Sequence, residues 1–185
     1  MPQSVLLVLD VQSLIVERYA DPDYLSRLGR AIDAARRAGT PVWYAQVGFR
    51  AGFPEVHPRN KMFGALARAA EDGPARQQPP NEIHPAVAPH PQDIVVTKRR
   101  VSAFSGSDLD MLLRAAGVDE LVLTGIATSG VILSTLRQAA DLDYGLTVLS
   151  DACADADPEV HRVLVEKVFP MQADVATVAD WAAGL

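Results

Sequence analysis

From Ser4 the chain is apolar through Val5, Leu6, Leu7, Val8 and Leu9 and then meets a carboxylate, Asp10. An unbroken apolar run with no alternation fits a strand covered on both faces, as in a parallel sheet. Strand one is therefore predicted over Ser4 to Asp10. Between Asp21 and Arg37 the period changes, with Leu25, Leu28, Ile32 and Ala35 recurring at helical spacing. Asp21-Pro22 supplies a capping carboxylate and a proline suited to a first turn, and Gly39 a stop. Further strands are predicted at Pro41 to Gln46, Asp93 to Val96, Glu120 to Thr124, Leu146 to Leu149 and Ala173 to Val175. Helices are predicted at Asp108 to Ala116, ending at Gly117, at Ser129 to Leu142, at Pro158 to Val168, and through Trp181.

Strands alternating with helices in this way imply right-handed crossovers. The expected architecture is α/β, a three-layer α/β/α sandwich around a mainly parallel, Rossmann-like six-stranded sheet. Residues 1–185 read as one domain, with a long insertion at about 47–91. That stretch is rich in Pro, Gly and charge and carries one expected helix between Asn60 and Glu71. Insertions of this length serve as lids or subunit contacts, or are plain surface excursions.

Composition narrows the function. With 17 Lys+Arg against 23 Asp+Glu the formal charge is −6, which provides no field for a polyanion, so no nucleic acid partner is expected. The apolar runs are far shorter than the roughly 20 residues a membrane-spanning helix needs, and the N-terminus reads as a strand, not as a signal peptide. A single cysteine, Cys153, allows neither an internal disulfide nor a CxxC motif, which fits a reducing cytoplasm. The histidines at 57, 84, 90 and 161 form no metal-binding pattern, so neither a metal nor another cofactor is expected.

In a parallel sheet ligands bind at the carboxyl ends of strands. Those ends carry Asp10 and Gln12, then Gln46 with Arg50 beyond it, then Lys98, and finally the turn Gly125-Ile126-Ala127-Thr128-Ser129-Gly130. Burial behind five apolar residues would raise the pKa of Asp10 and a nearby lysine would lower it, leaving a carboxylate able to exchange protons. A structural loop cap fits the same position, and the KRR at 98–100 also reads as a solvated basic turn. The 125–130 turn offers backbone N–H groups to an anion at a helix start, or Thr128 or Ser129 as an ordinary cap.

Taken together, LLVLDVQ at 6–12, VVTKRRVSAFSGSDLDMLL at 95–113, LVLTGIATSGVILSTLRQA at 121–139 and LTVLSDACADADPEVH at 146–161 resemble the isochorismatase-like hydrolase superfamily over nearly the whole chain. Nicotinamidases, N-carbamoylsarcosine amidases and isochorismatases belong to it. The resemblance implies that Asp10 and Lys98 are catalytic, and it places the amidases' nucleophilic cysteine on Val131. A valine cannot form a thioester. Cys153 lies in a different segment and reads as an inert small hydrophobe. The metal pattern of nicotinamidases is missing from QVGFRAGFPEVHPRN, and the family's cis peptide falls on Ile126-Ala127. Isochorismatases also lack the cysteine and rely on general acid catalysis.

By this resemblance Asp10 is a general acid/base tuned by Lys98. Substrate contacts are expected from Gln12, Gln46, Phe49, Arg50, Ile126, Ala127, Ser129, Gly130 and Val131, with Arg50 and Lys98 toward substrate carboxylates. Phe53 and Phe63 are expected to share in selectivity. A small-molecule substrate and a homodimer or homotetramer complete the expectation. A ligand-binding protein without turnover is the alternative.

Overall fold

The computed structural model describes residues 3–19, 21–72 and 82–185. Strands β1 (Ser4–Leu9), β2 (Val42–Val47), β3 (Ile94–Lys98), β4 (Glu120–Ile126), β5 (Gly145–Ala154) and β6 (Asp174–Ala176) form one sheet in the order β3-β2-β1-β4-β5-β6. Every pairing within it is parallel. The α-helices are α1 (Ser13–Tyr19), α2 (Tyr24–Ala38), α3 (Lys61–Asp72), α4 (Leu109–Ala115), α5 (Leu133–Asp141), α6 (Pro158–Val163) and α7 (Val178–Ala183).

The unbroken apolar run of β1 serves two cores at once. Val5, Leu7 and Leu9 face Leu109, Leu113, Ile132, Leu136 and Phe169 on one side of the sheet. Leu6 and Val8 face Leu28, Ala31, Ile32 and Ala35 of α2, with Val178 of α7, on the other. Each fully buried leucine contributes about 1.5–3 kcal/mol of transfer free energy. Together the two layers explain why β1 shows no polar alternation. Because β2 and β3 lie to one side of β1 and β4 to β6 to the other, the carboxyl end of β1 is a topological switch point, the place where parallel sheets of this kind bind their ligands.

Several boundaries differ from the sequence reading. Strand one stops at Leu9 because Asp10 turns into the left-handed region with φ +55°. Helix α1 has no counterpart in that reading; it is short and buries only Val16 among its described positions, so it has little periodicity to read. Helix α2 starts at Tyr24, after Asp21 has taken up the Asp23 N–H and the Arg27 guanidinium. β5 continues through Ala154 after an irregularity opposite Leu123 and Gly125, which carries the polar pair Ser150-Asp151 inside the strand. The helix expected over Pro158 to Val168 is α-helical only to Val163 and π-helical over Leu164–Val168. Within the 47–91 insertion the expected helix is α3, and residues 73–81 lie outside the described residues. No helix among the described residues is long and apolar enough to cross a membrane.

Candidate active site

Asp10 leaves the sheet where β1 ends between β2 and β4, its N–H donating to the Ala45 carbonyl at 2.8 Å. The turn swings its carboxylate toward the end of β3. There Lys98 Nζ lies 2.8 Å from Asp10 Oδ2, with the two side chains 2% and 10% exposed. The basic turn read at 98–100 is therefore not solvated at its first residue. Lys98 Nζ also donates to the Arg100 carbonyl at 2.9 Å. Asp10 Oδ1 is buried and has no hydrogen-bond partner among the described residues. Burial pushes the Asp10 carboxyl up to about 6, against the charge and hydrogen bond of Lys98 and, more weakly, the Val47 backbone N–H, which hold it down. A buried carboxylate with one oxygen paired to an ammonium and the other uncommitted is equipped to exchange a proton with a bound molecule.

Gln12 closes the same end of the sheet. Its amide donates to the Val47 carbonyl at 3.1 Å and accepts from the Val47 N–H at 2.9 Å, tying the exit of β1 to the end of β2. Gln46 Nε2 donates to Thr97 Oγ1 at 3.3 Å. Phe49 gathers the aromatic rings beyond β2, with centroids 5.3 Å from Phe53 and 5.1 Å from Phe63. Arg50 is engaged within the protein, its Nη1 donating to Glu55 Oε1 at 2.7 Å, so its guanidinium is shared with a carboxylate of its own loop.

Across β1, the pairing of Leu9 with Gly125 brings the two strand exits side by side. Only glycine fits at 125: its φ is +137°, and a Cβ there would lie 2.0 Å from the Leu9 carbonyl oxygen. The next peptide, Ile126-Ala127, is cis, as the resemblance implies. A π-helical turn over Thr128–Ile132 then leads into α5. Neither Thr128 nor Ser129 caps it in the local manner. Asp155 Oδ2 accepts the Ser129 N–H at 2.7 Å, and Thr128 Oγ1 meets His161 Nδ1 at 2.8 Å. Burial lowers the His161 pKa, with Asp155 opposing. Gly130 N–H donates to the Ala127 carbonyl at 3.0 Å, and Val131 and Ile126 are buried.

Cys153 sits on β5 opposite Gly125, buried in the core that also holds Val131. Burial pushes its thiol up to about 12, so it stays protonated at neutral pH. Among the described residues no cluster of three or more His, Cys, Asp or Glu is placed to hold a metal.

No pattern in the sequence singles out Glu55, Arg100, Asp155 or His161. Glu55, Arg100 and Asp155 lie in segments without periodicity and reach the site through loop geometry, and His161 reaches it from α6. The ADADPEVH string carries the only local signal for the last two.

The isochorismatase domain model matches residues 4–180. An uncharacterized isochorismatase family protein, YecD, of Escherichia coli O157:H7 is 32% identical over 184 residues, covering 96% of this chain and 93% of its own. The ureidoacrylate amidohydrolase RutB of Methylobacterium radiotolerans is 36% identical, covering 92% and 76%. Among solved structures, an isochorismatase family protein from Burkholderia thailandensis superposes with TM-score 0.81 at 28% identity, covering 100% and 96%. The N-carbamoylsarcosine amidase of Thermoplasma acidophilum superposes with TM-score 0.75 at 26% identity, covering 96% and 97%. With its sheet order, its strand-end carboxylate and a family match over nearly its full length, the chain belongs to the isochorismatase family of hydrolases.

Proposed function

We propose that this protein hydrolyses a C–N or C–O bond of a small molecule without a cysteine nucleophile, using Asp10 for proton transfer and Lys98 as its electrostatic partner. The observation that carries this reading is the buried Asp10–Lys98 pair with Asp10 Oδ1 uncommitted. The side chain at 131 is a valine and Cys153 is a buried thiol, so direct attack by water replaces a thioester route.

With a pKa of about 6, Asp10 is mostly ionised at neutral pH, yet its acid form is only about 1.4 kcal/mol away per pH unit. The relatives named as ureidoacrylate amidohydrolases and the N-carbamoylsarcosine amidase neighbour point to a ureido or carbamoyl group. In that chemistry Asp10 takes a proton from the water that adds to the carbonyl. It then returns the proton to the nitrogen that leaves, so an amine and a carbamate form from the ureide and one water. Lys98 supplies the positive charge beside the oxygen on which negative charge develops.

A paired assay of wild type and Asp10→Asn tests this. Ammonia or amine release is followed from a panel of ureido acids and amides, and pyruvate release from enolpyruvyl ethers. The expected result is turnover in one arm that falls at least about a hundredfold in Asp10→Asn. For a water-activating base, kcat/KM rises with pH through about 6 and then levels; for protonation of a vinyl ether carbon it falls through the same range. Full activity in Asp10→Asn would remove the residue from the mechanism. The second reading, a binding protein without chemistry, is favoured by the burial of the protein's one thiol. It predicts saturable binding of the same compounds with no product.

A further inference from the structure

Lys98 is almost fully buried, and what fixes its ammonium lies outside the strand that carries it. One of its partners is Asp10; the other is the carbonyl of Arg100, two residues on. That carbonyl belongs to a turn with no regular structure, so its direction depends on how the turn is anchored.

The Arg100 side chain folds back to do this. Its Nη1 donates to the Arg99 carbonyl at 2.6 Å and its Nη2 to the Glu55 carbonyl at 2.7 Å. Glu55 in turn draws the loop after β2 onto the same turn. Its Oε1 accepts from Arg50 Nη1 at 2.7 Å, from the Arg50 N–H at 3.3 Å and from Arg99 Nε at 3.3 Å. The Arg99 stem lies against Gly106, where a Cβ would come within 2.9 Å of Arg99 Cβ. Glu55 is 13% exposed at its side chain, and both its Oε2 and Arg99 Nη1 are buried without a partner among the described residues. A cluster that leaves two buried polar atoms unsatisfied is a poor device for stability alone.

We propose that Glu55 and Arg100 are positioning residues, which latch the loop after β2 onto the 99–106 turn and thereby hold the Lys98 ammonium against Asp10. The chain of contacts is continuous: the Glu55 carboxylate to Arg50 and Arg99, the Glu55 carbonyl to the Arg100 guanidinium, the Arg100 carbonyl to Lys98, and Lys98 to Asp10. The consequence for the reaction rests on the proton-transfer reading of Asp10; the latch itself does not. Lys98 is the charged side chain that lowers the Asp10 pKa among the described residues, so any loosening of the ammonium is read at Asp10.

The test is a carboxyl carbon-13 NMR titration of the full chain labelled at aspartate Cγ, with the Asp10 signal assigned by its loss in Asp10→Asn. Arg100→Ala is expected to raise the Asp10 midpoint by about one unit. Glu55→Gln is expected to raise it by less. For Glu55→Gln that sign is diagnostic, because removing a negative charge acts through space to lower a carboxyl pKa and a displaced Lys98 raises it. Arg100→Lys, which keeps the positive charge lost in Arg100→Ala but not the guanidinium fork on the two carbonyls, is expected to raise the midpoint as well. Arg114→Ala, an exposed change on α4, should leave the midpoint in place. A merely structural role would lower the melting temperature of Glu55→Gln and leave Asp10 unmoved.

An Asp10 midpoint in folded Arg100→Ala equal to that of wild type would overturn the proposal. If Arg100→Ala does not fold, Glu55→Gln decides, and an unchanged or lowered midpoint overturns it. A wild-type midpoint in the ordinary carboxylate range counts against the proton-transfer reading and leaves the latch to be judged by the variants' shifts alone.

Discussion

Asp10 and Cys153 are both buried and both shifted upward by burial, yet they end in opposite chemical states. Asp10 has Lys98 at 2.8 Å, which keeps its ionised form within reach at neutral pH. Cys153 has a distant contact, Sγ to the Leu123 carbonyl at 3.9 Å, and among the described residues no cation is placed to stabilise a thiolate. The expected outcome is that wild-type protein resists alkylation by iodoacetamide in its folded state and reacts stoichiometrically once unfolded. Cys153→Ala should turn over any substrate at the wild-type rate. Rapid labelling of the folded protein, together with loss of turnover, would restore a thiol mechanism. Glycine at 125 is held by a different physical limit, since its positive φ and the Leu9 carbonyl leave no place for a side chain.

That limit belongs to the joint between β1 and β4, where two strand exits must come close enough to share one site. Gly125→Ala forces either a strained φ or a displaced β1, and should destabilise by about 3–5 kcal/mol. Gly29, inside α2, has nothing within 4 Å of where a Cβ would stand, and no positive φ. There the same substitution should stabilise by about 0.5–1 kcal/mol. Urea denaturation of the two variants beside wild type reads both signs in one experiment, and equal shifts would mean that the β1–β4 joint is not tight. The strands of the sheet are legible because burial on both faces writes itself as an apolar run, as in VLLVL. β5 reads too short because its second half, SDACA, places polar residues inside a strand: Asp151 accepts the Val178 N–H at 2.7 Å and Ser150 donates to the Ala176 carbonyl at 3.1 Å. Asp10 and Lys98 are legible as polar residues ending apolar runs. Glu55, Arg100 and Asp155 are not, because a loop residue's partner is set by the path of the backbone and not by any period in the sequence.

Across the whole molecule the ionised form of Asp10 costs stability relative to the protonated form. The folded pKa of Asp10 is raised from 3.8 to about 6, so the native state binds this proton more tightly than the unfolded chain. The contribution is therefore most favourable below about pH 4, and about 3 kcal/mol of it is lost as pH rises through 6. A fold selected for stability alone would place apolar side chains at both positions, since neutral replacements of buried ion pairs are often neutral or stabilising. The double variant Asp10→Asn/Lys98→Met should then equal or exceed wild type in urea resistance at pH 8. Its advantage should shrink by roughly 2 kcal/mol between pH 7 and pH 4, because wild type regains its proton over that interval. The single change Lys98→Met should lie below both at pH 8, as it leaves a buried carboxylate with no cation. A double variant weaker than wild type at every pH, by a constant amount, would make the pair a structural element of the β1–β3 end of the sheet. The expected pH-dependent gap would instead identify it as a charge retained at a cost for its chemistry.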